Sequence, residues 1–390
     1  MRRLHCTVTP GLVRATAARG LKQVLPWKDF GESVKAATLL ELVLLTAALC
    51  RTVSAIVRRF KFGFSHETAR KALDANLPPL ETLTQGLVDA LHGWLPRAVA
   101  RRAWDIAIDL HYVPFYGNPK TPGTLGGPKK AGTNRFFVYA TAVIVQRGQR
   151  WCLALTPVHS TRFETAVEAL AEQLQARGIR VRCLILDRGF FSGHVMLALQ
   201  KRRLPFVVGV SRKKGRIESV FQGPIGKIHQ HQWKTERGGH PVKVSLIVAS
   251  RKTKHHRRRE LYAFDGIAPE YAARRHQRAN FYRRLNQRRF GIETSYRQMR
   301  QSQSRTTSCD ERQRLLWLAL ALLLRQVWQW LQQKLTPRGT RWSHWRPDPA
   351  LPLLRMLDWL AQAVQLCYPE LKRLLLPQPM QLPRMNRHKA

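Results

Sequence analysis

Acidic residues are scarce in this chain. Its 390 residues contain 24 Asp and Glu against 67 Lys and Arg, which gives a formal net charge of +43. A surplus of this size does not indicate a fold, but it predicts a polyanionic partner, of which nucleic acid is the leading candidate. Because acids are so few, those that stand inside apolar segments are informative about function.

Long apolar runs and paired cysteines are also missing. The longest apolar segments, Leu42–Cys50 and Leu315–Leu324, are well short of the ~20 residues that a membrane span needs. The basic N-terminus lacks a continuous apolar core, which argues against a secretory signal. The six cysteines form no CxxC pair and have no histidine at zinc spacing, as expected of reduced thiols in the cytoplasm. These patterns argue against a membrane as the partner.

Residues 1–100 are predicted to form a helical, helix-turn-helix-like module. Apolar residues recur at helical spacing before a break at residues 62–64, and Ser65 is suited to cap the next helix. That helix would present His66, Arg70 and Lys71 to a DNA groove. Three helices that pack together without touching DNA produce the same pattern, so both interpretations stay open.

The next segments predict an α/β protein. Residues 101–211 follow the order of three strands, helix, strand, helix, strand, which is that of a ribonuclease-H-like core with a mixed sheet flanked by helices. The glycine-rich residues 117–135 are expected to form a mobile basic loop. Residues 212–268, with IESVFQ, KVSLIVAS and ELYAFDG as strands, predict a β-rich insertion. Residues 269–335 return to helix, and residues 336–390 form a helical tail with a basic end.

Two acids stand at predicted strand positions. Asp109 is surrounded by apolar residues, and a buried carboxylate needs a partner, strong hydrogen bonds or a metal. Asp105 shares its strand face and is the competing candidate. Asp187 follows four apolar residues at the carboxyl end of a strand, where α/β sheets place their sites. It could instead cap the following helix.

Glu293 is the third acid. It is the only acid in residues 272–308, a range rich in arginine. A continuous helix would place five polar residues on one stripe: Asn286, Arg289, Glu293, Arg297 and Arg300. Such a stripe is typical of salt bridges, with Arg297 the expected partner of Glu293, or of a metal ligand among phosphate-binding side chains.

Taken together, the three acids predict a metal site. Carboxylate oxygens suit Mg²⁺ or Mn²⁺, and two such ions can activate the attacking oxygen and stabilise the leaving oxygen of a phosphoryl displacement. Asp109, Asp187 and Glu293 are therefore the predicted ligands. The arginines would contact phosphates, since guanidinium groups match phosphate oxygens.

These motifs resemble the DDE transposases of bacterial insertion sequences, in the group with the signature Tyr-x2-Arg-x3-Glu-x6-Lys. Arg289 and Glu293 match it, and Arg300 replaces Lys with its charge kept. Asn286 stands where the signature has Tyr, and Tyr282, one helical turn earlier, is the candidate to compensate. The segments around Asp109 and Asp187 and the β-rich insertion resemble the group as well.

The resemblance implies an enzyme that cleaves DNA at transposon ends and transfers the freed strand to target DNA. It implies two Mg²⁺ or Mn²⁺ ions, a homodimer that pairs two terminal inverted repeats, and a place in the bacterial cytoplasm with the nucleoid. It also implies a stacking role for Trp233, for which ordinary packing is the alternative. Two alternatives remain for the whole chain: a structure-selective nuclease with the same acids, and an inactive remnant that only binds DNA.

Overall fold

The structure is a computed structural model. It describes residues 7–130, 132–146, 150–211, 216–234, 241–252, 257–267, 274–335 and 346–371. The predicted basic end of the tail, residues 383–390, lies outside these ranges, as do residues 253–256.

The first part of the chain is helical, as predicted. Its helices are α1 (Pro10–Val24), α2 (Ala36–Ala48), α3 (Val53–Arg59), α4 (His66–Asn76) and α5 (Leu80–Gly93). The Ser65 hydroxyl accepts a hydrogen bond from the Thr68 amide and caps α4, as its position in the sequence predicted. Sequence patterns did not predict α1, although the Thr9 side chain caps it in the same way.

The described helices differ from membrane spans in length or in apolarity. None of them meets both requirements alone. Only α2 and α3 together satisfy them, and these two helices are bent by 107° at the break between them.

A large mixed sheet forms the centre of the molecule. Its strands are β1 (Trp104–Phe115), β2 (Thr124–Lys130), β3 (Thr133–Ile144), β4 (Cys152–Val158), β5 (Val181–Leu186), β6 (Phe206–Gly209), β7 (Ile228–Lys234), β8 (Pro241–Lys252) and β9 (Arg257–Asp265). The order is β2-β3-β1-β5-β6-β9-β8-β7, with β4 also paired to β3. Strands β1, β5 and β6 are parallel to one another, whereas β3 and β9 run antiparallel to their neighbours.

Helices cover both faces of this sheet. They are α6 (Phe163–Ala176), α7 (Gly193–Lys201), α8 (Arg216–Gln222), α9 (Arg275–Arg288), α10 (Phe290–Met299), α11 (Glu311–Leu335) and α12 (Leu353–Gln365). Because side chains alternate along a strand, Ala107 of β1 faces a core shared with α9, α10, α11 and the N-terminal helices, while Ile106 and Ile108 face α6 and α7. The predicted fold class, a mixed α/β sheet flanked by helices, is confirmed.

Two local predictions need correction. The segment IESVFQ forms α8, because a short apolar run fits helical and strand periods equally well. The glycine-rich segment expected to be a loop contains β2, which pairs along the edge of β3. The strands of the predicted β-rich insertion, β7, β8 and β9, extend the core sheet, because β9 pairs with β6.

Candidate active site

The register of two parallel strands brings the first two acids together. Ile108 of β1 pairs with Leu186 of β5, and the next residues along these strands are Asp109 and Asp187. Asp109 lies within β1, opposite Thr141 of β3, whereas Asp187 follows the last residue of β5. By the alternation of the strands, both side chains belong to the face covered by α9, α10 and α11.

The third acid reaches the same place from a helix. Glu293 lies in the first turn of α10, which begins directly after Arg289. The Ile292 amide donates to the Arg289 carbonyl at 2.8 Å. This hydrogen bond between residues i+3 and i is of the 3₁₀ type, so the backbone between α9 and α10 is wound more tightly than in an α-helix. This junction packs against β1 through the Tyr296 side chain of α10.

One guanidinium joins the three acids. Arg289 lies with Nη1 3.4 Å from Asp109 Oδ2, and with Nη2 3.3 Å from Asp187 Oδ1 and 3.5 Å from Glu293 Oε1. Its side chain is 10% exposed, and its plane also lies 5.2 Å from the ring of Phe290. All three predicted acids therefore converge on a single cation, and the ion pair expected between Glu293 and Arg297 is wrong because Arg289 takes that place.

Asp109 is the most deeply placed of the three acids. Burial raises its pKa from 3.8 to about 6, and the negative charges of Asp187 and Glu293 act in the same direction. The Arg289 charge and the Leu110 amide, which donates to Asp109 Oδ1 at 2.9 Å, oppose this rise. The Asp187 and Glu293 side chains are more open, at 40% and 50% exposure. The site is thus graded from a desolvated acid to two solvated ones.

Two buried hydroxyl groups support Asp109 from behind, and sequence patterns did not single them out. The hydroxyls of Tyr296 and Thr141 lie 2.6 Å apart, and Tyr296 also donates to the Asp109 carbonyl at 3.3 Å. Burial raises the pKa of Tyr296 well above its usual range, so this residue stays a neutral donor. The one sequence feature that could have indicated Tyr296 is weak: it lies one helical turn after Glu293 and so on the same side of the helix.

Asp105, the competing candidate, lies in a different environment. It is 5% exposed and forms ion pairs with Arg182 and Arg288, the first through Arg182 Nε at 2.7 Å. Both of its oxygen atoms are engaged, as expected of a structural carboxylate. The structure therefore separates the two acids of β1, with Asp109 in the cluster and Asp105 paired outside it.

Several residues predicted to contact DNA are accessible. Arg297 and Arg300 of α10 are exposed, and so are Arg70 and Lys71 of α4. His66, at the start of α4, is partly buried. These positions agree with the predicted contacts without testing them.

The remaining predicted DNA contacts are buried, partly buried or outside the described part of the structure. Arg289 is only 8% exposed because it lies among the acids. Tyr282 is 1% exposed, stacks on Phe264 at 4.0 Å and donates its hydroxyl to the Ile267 carbonyl, so it cannot replace the missing signature Tyr. Asn286 is partly buried, and its Oδ1 atom has no hydrogen-bond partner among the described residues. Trp233 pairs with Val242 across β7 and β8, but its side chain lies outside the described part of the structure.

The cluster suits a divalent cation by its chemistry. Carboxylate oxygens are the ligands that Mg²⁺ and Mn²⁺ prefer, and all three acids already turn towards one positive charge. Within the described ranges, however, no three His, Cys, Asp or Glu side chains stand close enough to hold an ion together. The Arg289 side chain explains this spacing, because it lies between the carboxylates.

Comparison with known proteins agrees with this site. The family model described as "Transposase DDE domain" matches residues 102–325, which include all three acids. A search of curated proteins gave no match. Among solved structures, the chain is similar to the piggyBac transposase in a synaptic complex with hairpin DNA, with a TM-score of 0.59 and 12% identity over 93% of this chain and 81% of that one. At this identity the similarity concerns the fold.

Proposed function

Because the chain belongs to the family of transposases with a DDE domain, we propose that Asp109, Asp187 and Glu293 are the acids of its active site. The observation that carries this assignment is their convergence on the Arg289 guanidinium, at 3.3–3.5 Å. The chain is a DDE-type transposase by its family. The assignment of residues, metal and DNA contacts that follows is our proposal.

The three acids would hold divalent cations. The phosphoryl displacement predicted from the sequence uses two such ions. Such ions, when bound, activate an oxygen nucleophile and stabilise the leaving oxygen of a phosphodiester. The chain's own contribution is to fix the acids. Asp109 is held within a paired strand with its carbonyl bonded to Tyr296, while Asp187 and Glu293 come from a strand end and a helix, where small shifts are tolerated.

Arg289 then has a double role. Without DNA it neutralises three carboxylates that would otherwise repel one another. Bound cations would take over this function, and the guanidinium would be released to a phosphate of the DNA, which its fork matches. The DNA contact predicted for Arg289 from the signature would therefore form only when cations are bound to the acids.

The DNA partners proposed for the chain are terminal inverted repeats and a target duplex, bound by two copies. The exposed Arg297 and Arg300 adjoin the acids on α10, and the exposed Arg70 and Lys71 on α4 would reach a groove or backbone further away. The match of Arg289 and Glu293 to the signature, with Arg300 keeping the charge of its Lys, supports the insertion-sequence group of bacteria, and with it a cytoplasmic, nucleoid-associated protein.

A cleavage and strand-transfer assay tests the function. The probe is a linear DNA carrying the inverted repeats that flank the gene, incubated with the full chain, Mg²⁺ or Mn²⁺, and a circular target. We expect a free 3′-hydroxyl at the repeat and a product joined to the target. Cleavage without a joined product would support the nuclease alternative, and DNA binding without cleavage would support the inactive remnant.

A further inference from the structure

A second polar cleft lies on the far side of the α9–α10 junction. Its volume is about 770 Å³, and it is formed by the start of β1, the connection from β3 to β4, and the junction itself. Four arginines line it, Arg102, Arg150, Arg182 and Arg288, with Asp105 as the acid between them. Among these lining side chains the arginines outnumber the acid. A cleft of this kind favours an anion over an apolar ligand.

Asp105 arranges two of these arginines. It pairs with Arg182 and Arg288 and is itself buried, whereas the two arginine side chains remain 55% and 49% exposed. A guanidinium carries five donors, and one carboxylate cannot engage all the donors of two guanidiniums. The buried acid thus fixes the direction of both groups, and about half of each arginine side chain is exposed where it lines the cleft.

The back wall of the cleft holds cations without an opposing acid. Arg150 is partly buried, burial lowers its pKa, and no carboxylate of the described residues lies within ion-pair distance of it. Behind it, Arg325 is 2% exposed and donates to the Arg150 carbonyl at 2.6 Å and to Gln298 and Gln329. Buried charges are normally paired. Neither Arg150 nor Arg325 has an acidic partner among the described residues, which indicates that a negative charge belongs in front of them.

The cleft and the acid cluster lie on one path along the sheet. Asp105 and Asp109 are four residues apart on β1 and face the same side, so they are separated by roughly 13 Å. The 3.4 Å rise per nucleotide is measured along the DNA axis, and because the strand winds around that axis its successive phosphates are roughly 7 Å apart, so this separation corresponds to about two nucleotides. Arg288 and Arg289 are consecutive residues, yet one faces the cleft and the other the acids.

We propose that this cleft binds the phosphodiester backbone of DNA about two nucleotides from the phosphate at the acid cluster. This inference rests on the proposed function of that cluster and adds a binding site to it. Thr294 and Gln287 border the same cleft and supply neutral polar groups beside the arginines. The cleft would hold the DNA strand in line with the acids, and none of its residues takes part in the chemistry.

The test is equilibrium binding of a fluorescein-labelled 30-base-pair duplex of arbitrary sequence to the full chain, followed by anisotropy over a series of NaCl concentrations. Arg150→Gln removes one cation from the cleft, and Thr294→Glu adds an acid without removing a partner of Asp105. Lys201→Gln, at the exposed end of α7, is the matched control, because each variant lowers the net charge by one.

We expect Arg150→Gln to reduce the slope of log K against log salt by about 0.9, the value of one phosphate contact. Thr294→Glu should weaken binding about tenfold, and Lys201→Gln should change it less than about twofold. Thr294→Glu also decides the question if Arg150→Gln does not fold, since Thr294 is only partly buried. Inorganic triphosphate, a soluble chain of phosphates, should displace the duplex from wild type more readily than from Thr294→Glu, since both ligands would occupy the cleft.

Two contrary results are distinguishable. If both cleft variants bind the duplex as Lys201→Gln does, while wild type binds with a steep salt dependence, the cleft proposal is wrong and the proposed function stands. If the triphosphate displaces the duplex as strongly from Thr294→Glu as from wild type, the cleft is likewise not the DNA site. If wild type binds no duplex, the proposed function itself fails.

Discussion

The Arg289 guanidinium lies 3.3 Å from the Asp187 carboxylate, although 102 residues separate them in the sequence. The same guanidinium reaches Asp109 and Glu293. The Arg289 side chain thereby links the α9–α10 junction to β1 and to the end of β5. The arrangement keeps three scarce acids together in a chain that carries a large positive surplus.

Removing the Arg289 charge should destabilise the folded protein and increase the stabilisation that Mn²⁺ gives it. In Arg289→Gln the three carboxylates repel one another, and we expect a loss of about 2 kcal/mol in the free energy of unfolding at pH 7 without metal. Added Mn²⁺ should raise the melting temperature of Arg289→Gln more than that of wild type. Arg297→Gln, on the exposed side of the same helix, is the control. An Mn²⁺ response equal to that of wild type would contradict the role given to Arg289.

Asp109 should give the stability a distinct pH dependence. Its folded pKa of about 6 lies above the ordinary 3.8, so between these values the folded state binds the proton more tightly than the unfolded state. The contribution of Asp109 to stability is therefore greatest at low pH and is lost as pH rises through 6. The full effect corresponds to about 3 kcal/mol, and most of it falls between pH 4 and 7. Urea unfolding of wild type and Asp109→Asn across this range measures it.

The variant provides the comparison for that measurement. Because Asp109→Asn has no carboxyl group to titrate, its stability relative to wild type should increase as pH rises from 4 to 7. Parallel stability curves for the two proteins over this window would show that Asp109 has an ordinary pKa.

The Tyr296 and Thr141 hydroxyls should act as a coupled pair. Their 2.6 Å contact is buried, so removal of either hydroxyl leaves the other without its partner. We expect Tyr296→Phe and Thr141→Val each to lower the free energy of unfolding by about 1–2 kcal/mol, and the double variant to lose less than the sum. A double-mutant cycle by urea unfolding gives the coupling. Strict additivity of the two losses would contradict the direct contact.

Sequence patterns predicted the elements that carry the acids better than the surroundings of the acids. Apolar runs around Asp109 and before Asp187 predicted two strands, and their parallel register places the acids side by side. A linear stripe of arginines could not show that Arg289 turns inward, because this depends on the tight backbone at the start of α10. Likewise Tyr282 matches a helical spacing, but its packing on Phe264 depends on the position of β9.

The same limit applies to the two acids of β1. Asp105 and Asp109 have similar neighbours in the sequence, and an alternating strand places them on one face. Their difference arises from residues distant in sequence: Arg182 and Arg288 close around Asp105, while Asp187 and Glu293 approach Asp109. Tertiary contacts of this kind are not encoded in a local pattern.

The most direct test of the site compares four acids in one DNA-cleavage assay. Asp109→Asn, Asp187→Asn and Glu293→Gln are measured with Asp105→Asn, using DNA that carries the flanking inverted repeats and Mg²⁺ or Mn²⁺. We predict that the first three lose at least about 1,000-fold in cleavage rate and still bind DNA. Asp105→Asn should be less stable, since it leaves Arg182 and Arg288 without their acid, but it should cleave within about tenfold of wild type per folded molecule. Wild-type cleavage by any of the first three variants would contradict the assignment of the active site.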